Sequence, residues 1–456
     1  VNEPERIAIQ DTIVAVATPP GRGGIGVVRV SGENAQQLAE LILGRSVRDR
    51  YAEYGDFLDS EQQAIERGIL IFYRGPASYT GEDVFELQAH GSPLLLDALV
   101  ERLVVAGART ARPGEFTERA FLNGKLDLAQ AEAVADLINA RTLSAARAAN
   151  RSLAGDFSRA VTDIVEAVTQ LRIRVEAAID FPEEELDLPA ISRLKRELLS
   201  IEQRLVQLIS AAAQTVVLTE GLRVVLAGPP NVGKSSLMNR LIGDERVIVS
   251  DTPGTTRDVI SVQAAFDGVP ITLIDTAGLR DTKDQVESAG VQLAKREIGA
   301  ADHLLVISDD SVAKDENENE EESPFDFDTA AAITRVWNKI DITGRVAGLQ
   351  DEQHNEVAVS ALTGAGITEL KQSVIQAAGQ ESLTDAPYVA RRRHLASLEQ
   401  AIGYLRGGMQ HLNSEETLEL CAEELRQASL SLGEITGIVS SDELLGRIFA
   451  DFCIGK

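Results

Sequence analysis

The stretch GPPNVGKSS, Gly228 to Ser236, constrains this chain more than any other. It fits the pattern G-x-x-x-x-G-K-[ST], directly after the apolar run GLRVVLAG and directly before the helical run SLMNRLIG. Such a loop cradles phosphates with backbone N–H groups at the start of a helix. It therefore demands a strand, a tight turn and a helix in that order. The chain around it complies. ITLIDTAG, HLLVISD, ITRVWNKID and EVAVSA are apolar runs alternating with helical segments, the pattern of a parallel sheet covered on both faces. An α/β domain is expected over residues 219–382, with Asn231, Val232, Gly233, Lys234, Ser235 and Ser236 around a nucleotide. In this motif Lys234 reaches the β- and γ-phosphates and Ser235 ligates magnesium.

Three further motifs follow in order. In SDTPGTTRD (250–258), Thr256 is placed to ligate magnesium as a switch residue; the alternative is a Pro-Gly turn with a capping threonine. In LIDTAGLRD, Asp275, Thr276, Ala277 and Gly278 end a strand where a carboxylate would approach magnesium and a backbone N–H the γ-phosphate. Asn338, Lys339 and Asp341 of NKID end another strand. A carboxylate at Asp341 can accept two hydrogen bonds from the guanine N1–H and amine, a donor pair that adenine lacks, which favours GTP over ATP. Ser360, Ala361 and Leu362 suit a loop whose backbone meets the guanine oxygen. Leu279 follows DTAG where Ras-like proteins orient the attacking water with glutamine, and leucine cannot do that.

The rest of the chain has a different texture. Residues 1–120 mix short strand-like runs (TIVAVATPP, GIGVVRVSG, GILIFY, VFELQAHG) with a helix in SPLLLDALVERLVVAGA, started by Ser92 and Pro93 and stopped by Gly107. This is an α+β domain. Residues 121–218 and 383–456 are helical and amphipathic, two halves of one bundle with the α/β domain inserted between them. The tract KDENENEEESPFDFD (314–328) is a solvated acidic loop.

Composition narrows the partners. The 71 acidic residues outnumber the 44 basic ones, giving a formal charge of −27. Such a surface repels nucleic acid at long range, so RNA contact requires a local patch or a partner protein. Two cysteines, Cys421 and Cys453, are too few for a disulfide framework and fit a cytoplasmic protein. The ending FCIGK lacks the pattern for prenylation. Its neighbours Phe449, Phe452 and Ile454 favour docking over fraying.

The four nucleotide motifs, in this order, resemble TRAFAC GTPases of the Era/TrmE group. ATPPGRGGIGVVRVSG, YTGEDVFELQAHG, RPGEFTERAFLNGKLDLAQAEAVADLI and FCIGK extend the resemblance over the whole chain, to the MnmE (TrmE) family of tRNA modification GTPases. The resemblance implies an α+β N-terminal folate-binding-like domain that dimerises, an α-helical bundle, and an inserted Ras-like α/β P-loop GTPase domain. It implies GTP with Mg2+. It also implies a potassium ion held by Asn231, Ser250, Thr252 and Thr255, with Glu287 orienting water. By spacing alone Asn231 reads as a turn residue and Glu287 as a solvated helix charge.

The resemblance further implies a 5,10-methylene- or 5-formyl-tetrahydrofolate held by Arg29, Glu86, Lys125 and Lys456, and possible modification chemistry at Cys453. Its partners would be a second copy, the flavoprotein MnmG (GidA) in a heterotetramer, and tRNA carrying a wobble uridine modified at carbon-5. Two other functions share the motifs: a ribosome-assembly GTPase of the Era or EngA kind, and a GTP-binding scaffold that Leu279 keeps from hydrolysis.

Overall fold

The computed structural model describes residues 11–140, 142–180, 188–243, 260–266, 269–275, 297–299, 301–312, 331–351, 355–377, 388–412, 417–439, 441–450, 452 and 455. The chain forms two compact units. One comprises Val1–Ile138, Ser152–Arg204 and Ser397–Lys456; the other comprises Asn139–Arg151 and Leu205–Ala396.

The first unit holds a six-stranded sheet of order β3-β4-β5-β2-β1-β6. The strands are β1 (Ile13–Val16), β2 (Gly23–Ser31), β3 (Ala52–Leu58), β4 (Ala64–Tyr73), β5 (Val84–Gly91) and β6 (Arg109–Thr110). All neighbours run antiparallel except β1 and β6. Alternation decides its two faces. Val28, Val30, Leu70, Phe72, Phe85 and Leu87 are buried in one core with Leu38, Ile42, Leu96 and Leu99 from the helices Ala35–Leu43 and Pro93–Val105. Arg29 and Glu86, one position out of phase, stand opposite each other in the register of β2 and β5 and project from the other face. There Phe116, on the helix Glu115–Leu122, packs with Ile13 and Ala15.

The helix Pro93–Val105 begins and ends where the sequence predicts, with Ser92 extended, Pro93 in the first turn and Gly107 at φ 112° just beyond its end. Ser92 makes no side-chain capping bond, so proline and burial suffice there. The Gly-rich run GRGGIG (21–26) lies partly within a strand: β2 begins inside it, at Gly23, with an irregular register up to Gly26.

Helical spacing accounts for the rest of this unit. On the helix Asp156–Asp180, Val161, Ile164, Val168, Leu171 and Val175 are buried. They form a stripe three to four residues apart, facing the helix Leu418–Thr436 with its buried Cys421, Leu425, Ala428 and Leu432. Phe449, at the end of the helix Asp442–Ala450, and Phe452, just beyond it, pack with Phe121 and Leu128. The Phe449 ring lies 6.4 Å from Phe121 and 5.5 Å from Phe452. Phe449 and Phe452 are therefore docked rather than frayed, and Ile454 lies outside the described residues.

The second unit holds a seven-stranded sheet of order β12-β13-β11-β10-β7-β9-β8. The strands are β7 (Leu222–Ala227), β8 (Ile260–Phe266), β9 (Val269–Asp275), β10 (His303–Asp309), β11 (Ala332–Asn338), β12 (Gly348–Asp351) and β13 (Glu356–Ala358). The inner strands are parallel, and only the edges β8 and β12 run antiparallel. One face is buried by Leu237, Leu241, Leu370 and Val374, from the helices Lys234–Ile242 and Ile367–Ala377. Val225, Ala227, Ile274 and Leu304 form a separate core. A sheet covered on both sides explains why these strands read as apolar runs rather than alternating ones. Among the described residues, no helix is long and apolar enough to cross a membrane.

Candidate functional site

β7 lies between β9 and β10, so the chain leaves it in one direction and returns on both sides. Ligands of open α/β sheets bind beyond the carboxyl ends of strands at such a switch point. Two of the expected nucleotide residues reach this edge, Asp275 and Asn338 as the last residues of β9 and β11, and Asp309 ends β10 beside them. The loop of GPPNVGKSS follows β7.

The loop turns through left-handed backbone at Asn231 (φ 65°) and Gly233 (φ 94°). A side chain on Gly233 would put a Cβ 2.5 Å from the amide nitrogen of Asn338, so only glycine fits. Gly233 is also the residue before the helix Lys234–Ile242, whose first N–H groups face the loop. Lys234 is buried and donates from Nζ to the carbonyls of Gly228 (2.9 Å) and Pro229 (2.7 Å). Ser235 Oγ donates to Asp275 Oδ2 at 2.7 Å. That contact joins two hard oxygens of the kind Mg2+ selects.

Asn338 ties the loops together rather than presenting itself outward. Its Nδ2 donates to Val232 O at 2.8 Å, and its Oδ1 accepts from Ala361 N–H at 3.0 Å. Ser360 Oγ donates to Asp341 Oδ1 at 2.5 Å, orienting the carboxylate and leaving Oδ2 for other donors. Ser236 and Leu362 are exposed at the margin. Thr256, Ser250, Thr252, Thr255, Thr276, Ala277, Gly278, Leu279 and Glu287 lie outside the described residues.

Sequence reading missed the acidic pair that supports NKID. Lys339 Nζ donates to Asp309 Oδ2 at 2.5 Å, and Ser311 donates to Asp309 Oδ1 through N–H and hydroxyl at 2.9 and 2.6 Å. The Lys339 ammonium and the Ser311 donors hold the Asp309 carboxyl below the usual range. Asp310 accepts from Arg345 at 2.7 Å and from Thr343. The only signal was their place at the end of the apolar run HLLVISD, where a parallel strand delivers its functional residues.

The first unit brings Arg29, Glu86 and Lys125 near one another. Arg29 Nε donates to Glu86 Oε1 at 2.9 Å, and its guanidinium stacks over Tyr79 and Phe116, 5.4 and 5.8 Å from the ring centroids. Thr117 fixes Tyr79 through a 2.9 Å hydroxyl contact. A cleft of about 420 Å³ opens beside this pair, lined by Arg50, Tyr73, Tyr79, Val84, Glu86 and Lys125 among others. Lys125 Nζ donates to Pro76 O at 3.0 Å. The carbonyl of Gly455 lies 3.5 Å from Arg29 Nη1, which brings the end of the chain to the same face. Cys453 and Lys456 lie outside the described residues. Cys421 is buried in the helical seam, and burial pushes its thiol up to about 11, so it is inert.

The profile described as GTP-binding protein TrmE N-terminus matches residues 12–125, and that of the MnmE helical domain matches residues 128–453. The protein named tRNA modification GTPase MnmE of Erwinia tasmaniensis is 48% identical over 98% of this chain and 99% of its own. The chain belongs to the MnmE family. The MnmE of Stutzerimonas stutzeri is likewise 48% identical, over 99% of this chain and 100% of its own. A solved G domain, that of the T. maritima FeoB iron transporter, is 26% identical over 34% of this chain and 98% of that one, with a TM-score of 0.25. MnmE proteins are GTPases by name, and the three-part fold expected from the sequence is the family's.

Proposed function

We propose that this protein is a potassium-stimulated GTP hydrolase acting on tRNA. With the flavin-dependent partner MnmG (GidA) it would add an aminomethyl or carboxymethylaminomethyl group at carbon-5 of the wobble uridine. The one-carbon unit would come from methylene-tetrahydrofolate. The observation that carries this reading is 48% identity along essentially the whole chain to proteins named tRNA modification GTPase MnmE. The strand-end geometry supports the GTP part independently.

In this reading Lys234 exchanges its loop carbonyls for the β- and γ-phosphates, where a buried ammonium offsets developing charge. Ser235 and Asp275 hold Mg2+, with Thr256 added when the switch closes. Asp341, oriented by Ser360, accepts from guanine, and Ala361 lies beside the guanine oxygen. Asn231, exposed on the loop, has a side-chain carbonyl of the type alkali cations accept. Potassium held there with Ser250, Thr252 and Thr255 would supply the positive charge that an arginine finger supplies elsewhere. Glu287 orients the water that Leu279 cannot.

Arg29, Glu86, Lys125 and Lys456 hold the folate, and Cys453 stands near it. The cleft supports this: an acid for a ring edge, tyrosine faces and cationic groups share one wall. The division into residues 1–120, 121–218, 219–382 and 383–456 belongs to the same reading, as do a cytoplasmic homodimer and a heterotetramer with MnmG.

The test is GTP turnover in potassium chloride and sodium chloride at equal ionic strength. Turnover at least about tenfold faster in potassium is expected from a charge placed at the breaking bond. Equal, slow turnover in both salts would remove the potassium reading and favour a scaffold.

A further inference from the structure

The cleft in the first unit has an unbalanced charge. Glu86 is neutralised by Arg29 at 2.8 Å. Arg50 and Lys125, the other two charged groups on the wall, have no ion pair among the described contacts: they donate to the carbonyls of Ala77 and Pro76, and Arg50 also faces the Tyr73 ring. Both are exposed at the rim, whereas Val84 is buried inside. Two positive charges without a carboxylate are unexpected in a chain of −27, where acidic partners are plentiful.

Arg50 also sits in an unfavourable backbone conformation. Its φ is 54°, in the left-handed region that costs a side-chain-bearing residue about 1 kcal/mol or more. The surroundings hold it there. Arg50 N–H donates to Phe72 O at 2.7 Å, Asp49 bridges to Phe72, and Asp49 Oδ1 accepts from Arg74 N–H at 2.9 Å. Glycine would occupy this position without strain. The backbone instead aims a guanidinium across the rim, 5.7 Å from the Tyr73 ring centroid.

We propose that Arg50 is the anion anchor of this cleft. It selects ligands whose carboxylate-bearing end lies opposite a flat polar head. The head would enter toward Glu86 and the tyrosine faces. The anionic end would stay at the rim, taking Arg50 from the Ala77 carbonyl and Lys125 from that of Pro76. Replacing a neutral acceptor by a carboxylate strengthens each hydrogen bond, and only arginine offers a planar fork for it. The assignment rests on the folate reading of the cleft and adds to it a residue that sets specificity.

The experiment is calorimetric titration of the full chain with two probes. One is 5-formyltetrahydrofolate, which carries a glutamate. The other is a reduced pterin with the same head and no glutamate. Wild type should bind the first at least roughly tenfold more tightly, the scale of one charge-assisted contact. Arg50→Gly relieves the backbone, so its Tm should stay within about 4 °C of wild type. It should bring the two affinities together by weakening only the glutamate-bearing probe, and Arg50→Lys should retain part of the preference.

If Arg50→Gly keeps the full preference, Arg50 is not the anchor. If it weakens both probes equally, the residue shapes the cleft and does not read the anion. If wild type binds neither probe, the folate reading itself fails and the anchor fails with it. If wild type binds both alike, the folate reading stands and the anchor alone is overturned.

Discussion

The two sheets handle buried charge in opposite ways. In the first unit, charges near the core neutralise one another. Glu115 (0% exposed) and Arg119 (1%) are joined at 3.2 Å, Arg109 meets Glu115 at 2.5 Å, and Arg119 meets Asp11 at 2.6 Å and Glu82 at 3.1 Å. In the second unit the functional charges stand at the carboxyl ends of strands. Lys234 there rests on loop carbonyls that an anion can replace. A closed network fixes a helix against a sheet, whereas a lysine held at a strand end by loop carbonyls is placed where an anion can take them over. The rim of the cleft beside Glu86, with Arg50 and Lys125 on carbonyls, resembles the second pattern although it belongs to the first unit.

The largest effect should come from Lys234→Ala. Removing the ammonium from a water-poor phosphate site should lower GTP turnover about 10³-fold. Single-turnover hydrolysis in saturating potassium measures it, and binding of 5-formyltetrahydrofolate should not change. A variant retaining a tenth of wild-type activity would show that the lysine is not the charge the site depends on.

Glu115→Gln breaks the closed network and leaves Arg109 and Arg119 short of an anion. The expected loss is about 3 kcal/mol of stability in the first unit, because an uncompensated buried charge costs more than the pair gained. Hydrogen exchange of β1 and β2 against urea reads it, with GTP affinity as the unaffected control. A pH signature accompanies it. Burial alone would raise the Glu115 carboxyl, but hydrogen bonds from Arg109 and the Arg112 N–H hold it down at about 2. Its contribution is therefore complete above the ordinary glutamate value near 4.5 and is lost as pH falls toward 2. The glutamine variant should lose that dependence.

Asp309→Asn tests whether the second unit's strand-end acids position its cations. Lys339 would lose its charged partner, so KM for GTP should rise about tenfold with kcat unchanged, since base-side contacts bind ground and transition state alike. A fall in kcat instead would place Asp309 nearer the chemistry than its 2.5 Å contact with Lys339 suggests.

The nucleotide side was the more legible in the sequence. GPPNVGKSS, DTAG and NKID are contiguous motifs, and each maps to one strand end because a parallel sheet delivers its loops to one edge. Asp309 and Asp310 escaped notice because an acidic dipeptide after a strand carries no pattern of its own. The second half of β4 and all of β5 are legible as the strand-like runs GILIFY and VFELQAHG. The strand β3, AEYGDFL, is not, since its inward positions include Glu53, a buried carboxylate that only the Arg48 and Arg45 ion pairs make tolerable. The Glu115–Arg119 network was hidden for the same reason. RPGEFTERAF looks like a charged surface helix until the fold places Asp11, Arg109 and Glu82 around it. Arg50 depends on a backbone angle, which no composition reveals.

The smallest effect separates the units by pH. His303 opens β10, fully buried, with Nε2 at 2.9 Å from Thr334 Oγ1 and no partner for Nδ1 among the described residues. Thr334 in turn meets Asn355 Nδ2 at 2.7 Å. Burial holds the imidazole down at about 4, against an ordinary value of 6.5. A histidine kept neutral in the folded state stabilises it fully above pH 6.5, and that contribution is lost as pH falls from 6.5 toward 4. The second unit should therefore lose about 1 kcal/mol between pH 7 and pH 5.5, and His303→Gln should lose less over the same range. The chain's one tryptophan, Trp337, lies on β11 of this unit, so its fluorescence follows urea unfolding there without interference from the first. Glu115, held down at about 2, is still ionised over that range, so hydrogen exchange of β1 and β2 should stay level once corrected for intrinsic rates. If both units weakened together, His303 would not be the group responsible. If the tryptophan transition were insensitive to pH in wild type and variant alike, the buried imidazole would have to be satisfied in some other way.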